Sequence, residues 1–183
     1  MFCISNVSAG FLDGFFSEDS NSSDDNNVLF SDMGIKGNNS SDWHFLKSLK
    51  VSVTDKGTTL VNKGEGNTFY TVNKPSTSME NLTDLIEWDA PYTIEFDLIS
   101  CDNSSGILIT DGVNGISKTF EQLGVTSNSH IKIVNEGSTV NYYVNGVNDP
   151  VYTYNEKSVN QSAIRFVIPQ DASLSYKNFT IYK

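Results

Sequence analysis

The sequence has few residues of several kinds that commonly carry binding or covalent stability. Its single arginine is Arg165, and 22 acidic residues outnumber 12 basic ones, which gives a formal net charge of −10. A surface with this charge repels nucleic acid and anionic lipid, so neither is an expected partner. Cys3 and Cys101 are the two cysteines among 183 residues, which is too few for a disulfide framework.

Long apolar runs are missing as well. No stretch of about 18 apolar residues exists, so we expect no insertion into a membrane. Residues 1–16 are apolar, but they contain Asp13 and no basic residue, so we do not interpret them as a signal peptide. Two alternatives remain for this segment. It belongs either to a piece of a larger protein or to a protein delivered without a secretion signal, as virion components are.

Acidic residues are concentrated in one early segment. Residues 17–27 read S-E-D-S-N-S-S-D-D-N-N, which predicts a loop because nothing in this run can be buried. We therefore divide the chain into an N-terminal tail or linker at 1–27, which includes this acidic loop, and a single domain at 28–183. Calcium is the one cofactor candidate, since carboxylates are hard oxygen ligands, and the alternative is a solvated linker. The candidate calcium ligands are Glu18, Asp19, Asp24 and Asp25.

Short stretches of alternating apolar and polar residues dominate the rest of the chain. The clearest is a hairpin at 130–147, in which I-K-I and V-N-Y-Y-V flank a turn at 135–138. Many short strands separated by turn residues, with no long helical period, predict an all-β, two-sheet sandwich. Strands are predicted at 28–31, 50–54, 58–62, 68–72, 92–99, 105–110, 129–135, 139–145, 151–154, 163–168 and 173–182. Their apolar faces predict a core of Tyr92, Ile94, Phe96, Leu98, Ile131, Ile133, Val140, Tyr142, Val144, Ile164, Phe166, Ile168, Phe179 and Ile181.

Three of these segments resemble strands of a known superfamily. The hairpin I-x-I, turn, V-x-Y-x-V-N-G and the segment Y-T-I-E-F-D-L at 92–98 resemble concanavalin A-like domains, which include lectins, laminin-G domains and glucanases. The segment L-S-Y-K-N-F-T-I-Y at 174–182 resembles the closing strand of many carbohydrate-binding modules. The resemblance covers roughly the last two thirds of the chain. It implies an antiparallel jelly-roll sandwich and a glycan as ligand.

One segment of this resemblance touches on catalysis. E-F-D-L-I-S at 95–100 resembles the E-x-D-x-x-E signature of laminarinase-type glucanases, in which the first Glu is the nucleophile and the last is the acid/base. Glu95 and Asp97 match, but Ser100 occupies the acid/base position and cannot deliver the proton that a retaining glycosidase needs. We therefore predict that the pair is not catalytic, with a glucanase as the less favoured alternative. His44 and His130 lie in no metal or triad motif.

The candidate glycan-binding residues are outward-facing polar and aromatic side chains. Sugar rings stack on exposed aromatic rings, while neighbouring polar side chains bind the hydroxyls. Tyr143 is the leading candidate because it alternates with Tyr142, and Arg165 is predicted to point outward on the same sheet. Tyr152 and Tyr154 share a strand face that points either to the core or to the ligand. The full set is Tyr143, Arg165, Asp97, Glu95, Asn141, Tyr152 and Tyr154, with Trp43 and Trp88 as further aromatic candidates.

Composition and motifs together predict a non-catalytic, lectin-like module. An acidic sandwich rich in Asn and Ser resembles accessory lectin modules of viral tail or fibre proteins and of cell-surface adhesins. The resemblance implies attachment of a parent protein to a cell-surface polysaccharide or glycan, an extracellular or virion-surface location, and membership of a larger oligomeric assembly. We expect a neutral or weakly charged glycan whose binding depends little on salt. The alternative is a structural decoration or spacer domain that makes protein–protein contacts.

Overall fold

Every regular element that the structure describes is a β-strand. The computed structural model describes residues 28–34, 43–45, 48–72 and 88–183, and this part of the chain contains no helix that could span a membrane. The strands are β1 (Val28–Asp32), β2 (Trp43–Phe45), β3 (Leu49–Thr54), β4 (Gly57–Asn62), β5 (Thr68–Val72), β6 (Trp88–Asp89), β7 (Tyr92–Cys101), β8 (Gly106–Thr110), β9 (Gly115–Thr119), β10 (Ser129–Asn135), β11 (Val140–Val144), β12 (Tyr152–Tyr154), β13 (Gln161–Ile168) and β14 (Ser173–Tyr182).

The strands form two antiparallel sheets. The eight-stranded sheet has the order β12-β11-β10-β7-β14-β4-β3, and β1 also pairs with β14. The six-stranded sheet has the order β2-β5-β13-β8-β9, and β6 also pairs with β13. The prediction of an all-β, two-sheet antiparallel sandwich is confirmed.

Alternation of apolar and polar residues explains both the strands and the core between the sheets. In β7, Ile94 and Phe96 are fully buried while Thr93, Glu95 and Asp97 between them are partly exposed. Each buried side chain of this size contributes about 1.5–3 kcal/mol to folding. All fourteen residues predicted for the core are buried, and among the described residues an aromatic cluster includes Phe30, Trp43, Tyr70, Phe96, Phe166, Tyr176 and Phe179.

Three strands were not predicted from the sequence. β2 and β6 have three and two residues, which is too short for a period-two pattern to be visible. β9 reads G-I-S-K-T and places one apolar residue, Ile116, in the core. Among the described strands β9 pairs with β8 alone, and this edge position accounts for the weak pattern, because an edge strand needs fewer buried side chains.

A buried carboxylate joins β1, β2 and β14. Asp32 is 1% exposed and accepts hydrogen bonds from Trp43 Nε1 at 2.6 Å, the Gly34 backbone N–H at 2.8 Å and the Tyr176 hydroxyl at 3.0 Å. Burial is the main cause that raises the pKa of Tyr176 above its ordinary value, so this hydroxyl keeps its proton and remains a donor. The three donors satisfy a carboxylate that burial would otherwise penalise.

Tyr142 presents the opposite case, a buried hydroxyl without a partner. It is 0% exposed, and its hydroxyl finds no hydrogen-bond partner among the residues that the structure describes. We expect Tyr142→Phe to raise the free energy of unfolding by about 1 kcal/mol, because it removes an unsatisfied polar atom and keeps the ring. Urea unfolding followed by fluorescence measures the change. Tyr176→Phe is the matched control and should destabilise the protein, since it deletes a bond to Asp32. Destabilisation by both variants would contradict the unsatisfied state of the Tyr142 hydroxyl.

Candidate functional site

A cluster of polar side chains lies on the outward face of the eight-stranded sheet. The antiparallel register places Lys132 of β10 between Tyr143 of β11 and Glu95 of β7. Two residues along β10, His130 lies beside Asp97 of β7. Because side chains two residues apart share one face of a strand, these five residues are brought to the same surface.

Glu95 lies at the centre of the cluster. Its Oε1 accepts a hydrogen bond from the Tyr182 hydroxyl at 2.6 Å and lies 3.3 Å from Lys132 Nζ, while its Oε2 lies 4.0 Å from His130 Nε2. Burial and, after it, the bond to Glu95 raise the pKa of Tyr182 above its ordinary value. Tyr182 therefore acts as a fixed donor that orients the carboxylate.

Asp97 is held from two sides. His130 Nδ1 lies 2.9 Å from its Oδ1, and Asn178 Nδ2 donates to its Oδ2 at 2.6 Å. The backbone N–H of His130 donates to Asn145 Oδ1 at 2.9 Å. The His130 ring thus connects the two carboxylates, and both carboxylates have their orientation fixed before any ligand binds.

Two depressions meet at His130. We call them the Tyr143 depression, with a volume of about 540 Å³, and the Lys177 depression, with about 380 Å³. The Tyr143 depression is lined by Glu95, His130, Lys132, Val134, Tyr143, Gly146, Val147 and Asn148. The Lys177 depression is lined by Lys56, Asp97, Leu98, Ile99, Asn128, Ser129, His130, Asn145 and Lys177. Both volumes lie in the range of small-ligand sites.

The Tyr143 depression offers the chemistry that sugars need. The partly exposed Tyr143 ring can stack on the C–H face of a pyranose. Lys132 can donate hydrogen bonds to hydroxyls, Glu95 can accept them, and His130 Nε2 can do either according to the tautomer of the ring. The side chains are already held by their neighbours, so ligand binding requires little further ordering.

The structure separates Arg165 from this site. Arg165 lies in β13, in the six-stranded sheet, so the prediction that it shares a sheet with Tyr143 is wrong. Its guanidinium carbon lies 5.5 Å from the centre of the Phe69 ring. Burial lowers its pKa from the ordinary value. The alternation in β13 was interpreted correctly, but alternation does not tell to which of two sheets a strand belongs.

The other aromatic candidates also point away from the cluster. Tyr152 and Tyr154 lie on the core face of β12, where Tyr152 packs edge to face on Tyr142 at 5.7 Å and Tyr154 is buried. Trp43 and Trp88 are 7% and 4% exposed. The prediction that these four aromatic residues form part of a glycan-binding surface is therefore corrected: they face the core. Of the five aromatic residues proposed from the sequence, Tyr143 alone presents its ring to the outward face of the eight-stranded sheet.

Asn141 lies on the same outward face, one register position beyond the Tyr143 depression. It stands opposite Val134 of β10, and its Oδ1 accepts a hydrogen bond from Thr153 Oγ1 at 2.8 Å. The candidate calcium ligands Glu18, Asp19, Asp24 and Asp25 lie outside the described residues. Within residues 28–34, 43–45, 48–72 and 88–183, no group of three or more acidic, His or Cys side chains is arranged to hold a metal ion.

Four residues that belong to the cluster or hydrogen-bond its carboxylates were not among the predicted binding residues. His130 and Lys132 alternate with core residues of β10, so their common face could have been inferred from the hairpin register. The positions of Tyr182 and Asn178 on this face could not be inferred in this way, because the pairing of β14 with β7 shifts between Lys177 and Thr180. Asn178 lies within this bulge at a φ of 54°, and the bulge turns its side chain towards Asp97.

Comparison with known proteins supports the fold. The sequence matches no protein-family model and no curated protein. A Bacillus subtilis protein of unknown function with a galectin-like fold matches with a TM-score of 0.60 and 9% identity, over 85% of this chain and 95% of that one. The carbohydrate-binding module CBM66 from Bacillus subtilis matches with a TM-score of 0.51 and 16% identity, over 78% and 96%. The chain shares a two-sheet β-sandwich fold with these proteins.

These likenesses concern the fold and leave the ligand open, because the identities are low. A sialidase also matches, with a TM-score of 0.46, 15% identity and 17% of its own length covered, which supports no argument about activity. The expected two-sheet β-sandwich is thus found at the level of architecture.

Proposed function

We propose that this domain binds a glycan on the outward face of its eight-stranded sheet. The observation that supports the proposal best is the Tyr143 depression, where an aromatic ring borders a network of hydrogen-bonded polar side chains. Tyr143 stacks on a sugar ring, Lys132 donates to hydroxyls, Glu95 accepts from them, and His130 Nε2 does either according to the tautomer of the ring. A fold shared with a carbohydrate-binding module agrees with this assignment.

The proposed biological role is attachment. The module attaches a viral tail, fibre or other surface protein to cell-surface polysaccharide, and it acts outside the cell or on a virion surface. A single small site gives an affinity in the micromolar to millimolar range, and several copies in an oligomeric parent would raise the overall affinity by roughly 10²–10⁴.

Glu95 and Asp97 are proposed to bind rather than to cleave. Glu95 Oε1 and both Asp97 oxygens are engaged by neighbouring side chains, and Ser100 still occupies the acid/base position of the glucanase motif. A glycosidase needs one carboxyl group that is free to protonate the leaving oxygen. Release of shorter oligosaccharides by the wild type, but not by Glu95→Gln, would instead support the glucanase alternative.

The test is a calorimetric or NMR titration with oligosaccharides prepared from cell-surface polysaccharide. We expect Tyr143→Ala to lower the affinity about 5- to 30-fold, since loss of one stacked ring is worth about 1–2 kcal/mol. Tyr143→Phe keeps the ring and should keep most of the affinity. Equal binding by wild type and Tyr143→Ala would remove Tyr143 from the site. Absence of binding by the wild type would favour the structural decoration or spacer domain.

A further inference from the structure

The Lys177 depression has an unusual charge for this chain. Of twelve basic residues in a protein with a net charge of −10, two line this one depression, Lys56 and Lys177. Asn128 and Asn145 add amide groups, and His130 closes the side that faces the Tyr143 depression. Donors therefore predominate on a surface whose average charge is acidic.

The single acidic group of the lining, Asp97, stands opposite Lys177 in the register and offsets one of the two lysine charges, but it forms no ion pair with either lysine. Asp97 directs Oδ1 to His130 and Oδ2 to Asn178. Lys132 forms the one lysine ion pair found among the described residues, and its partner is Glu95. The ammonium groups of Lys56 and Lys177 thus have no carboxylate within 4.0 Å in the described part of the chain.

The backbone holds Lys56 at the depression. Lys56 lies in the turn between β3 and β4, next to Gly57, and this turn packs directly on the sheet. A Cβ atom on Gly57 would lie 2.3 Å from Ile99 Cδ1 and 2.8 Å from the Tyr176 carbonyl oxygen. Asn128 and Asn145 adopt φ values of 60° and 55°, a region in which Asn is tolerated better than most residues. The lining is therefore set by close packing and by turn geometry.

The net charge of the chain does not prevent an anion from binding here. At physiological ionic strength the Debye length is about 8 Å, so carboxylates farther away are largely screened, whereas groups in contact with the anion are not. The expectation of a neutral glycan came from the total charge. The distribution of charge on this face points to a different ligand.

We propose that the Lys177 depression binds an anionic substituent of the glycan, namely a carboxylate or sulfate group. This inference rests on the proposed function, since the sugar ring that carries the substituent lies against Tyr143. His130 lines both depressions, so one short oligosaccharide can reach from the Tyr143 ring to the two lysines. Amide groups and ammonium groups together provide the donors that an oxyanion accepts.

The experiment compares matched acidic and neutral ligands. The first pair is an oligogalacturonate and the same oligosaccharide after reduction of its carboxyl groups, and the others are sialyllactose with lactose and a sulfated galactan fragment with its desulfated form. We expect the wild type to bind at least one acidic member tenfold or more tightly than its neutral counterpart. This preference should decrease several-fold between 50 and 500 mM NaCl, because its origin is ionic. The pair that shows it identifies the anionic group.

A double variant tests the assignment to these residues. Lys56→Gln with Lys177→Gln should abolish the preference and leave the affinity for the neutral member unchanged. Lys63→Gln with Lys157→Gln changes the net charge equally at two exposed lysines outside the depression and should keep the preference. Tyr143-dependent binding without any acidic preference would overturn this inference and leave the proposed function intact. Failure of the wild type to bind any of the six ligands would count against both.

Discussion

Replacement of Asp32 by alanine is expected to lower the free energy of unfolding by about 3–4 kcal/mol. The variant would leave three buried donors without an acceptor: the indole N–H of Trp43, the hydroxyl of Tyr176 and the backbone N–H of Gly34. Loss of the carboxylate also removes its own cost of burial, which offsets part of the effect. For a domain of this size the melting temperature should fall by about 10 °C.

Chemical and thermal unfolding of the two proteins measure this difference. Asp149→Ala is the control, since Asp149 is exposed and its removal should change the stability by less than about 0.5 kcal/mol. A loss for Asp32→Ala as small as that of the control would show that the three donors find other acceptors. In that case Asp32 would not be the group that connects β1, β2 and β14.

Gly57→Ala is expected to lower the free energy of unfolding by about 3–4 kcal/mol. The backbone at Gly57 has a φ of 151°, which residues with a Cβ rarely adopt, and the new methyl group would approach the Tyr176 carbonyl oxygen to 2.8 Å. The turn must move outward to relieve this contact, and Lys56 moves with it. We therefore also expect a weaker preference for acidic over neutral glycans.

Gly66→Ala is the control that has a positive φ but lacks the steric contact. Gly66 also has a positive φ, of 73°, but a Cβ there would meet no atom within 4 Å. Its replacement should cost about 1 kcal/mol from backbone strain alone. If the two variants were equally stable, the close packing of the β3–β4 turn on the sheet would be disproved. The acidic preference of Gly66→Ala should match that of the wild type.

The fold could be predicted because its central strands are regular. β7 and the hairpin of β10 and β11 alternate between core and surface, so their core faces follow from the sequence and their boundaries follow to within two residues. The hairpin turn also fixes the register of β10 against β11. β2 and β6 escaped prediction because two or three residues cannot show a period.

The site could be predicted in part, for a related reason. Alternation places Glu95, Asp97 and Tyr143 on an outward face, and the structure brings these three side chains to one surface. The assignment of Arg165 to the site was wrong because it depended on knowing to which sheet β13 belongs, and only the complete topology determines this. The position of Tyr182 could not be predicted because it depends on the bulge in β14, where the pairing shifts and simple alternation no longer holds.

The position of β14 has a consequence for biosynthesis. This strand is the last in chain order, yet it lies inside the eight-stranded sheet and pairs with β1, β4 and β7. The 81 residues from 102 to 182 separate the end of β7 from the end of β14, and their synthesis at about 5–20 residues/s takes roughly 4–16 s. During that time one edge of β7 on the nascent chain has no partner and is open to pairing with other chains. The eight-stranded sheet can therefore be completed only after β14 has been synthesised.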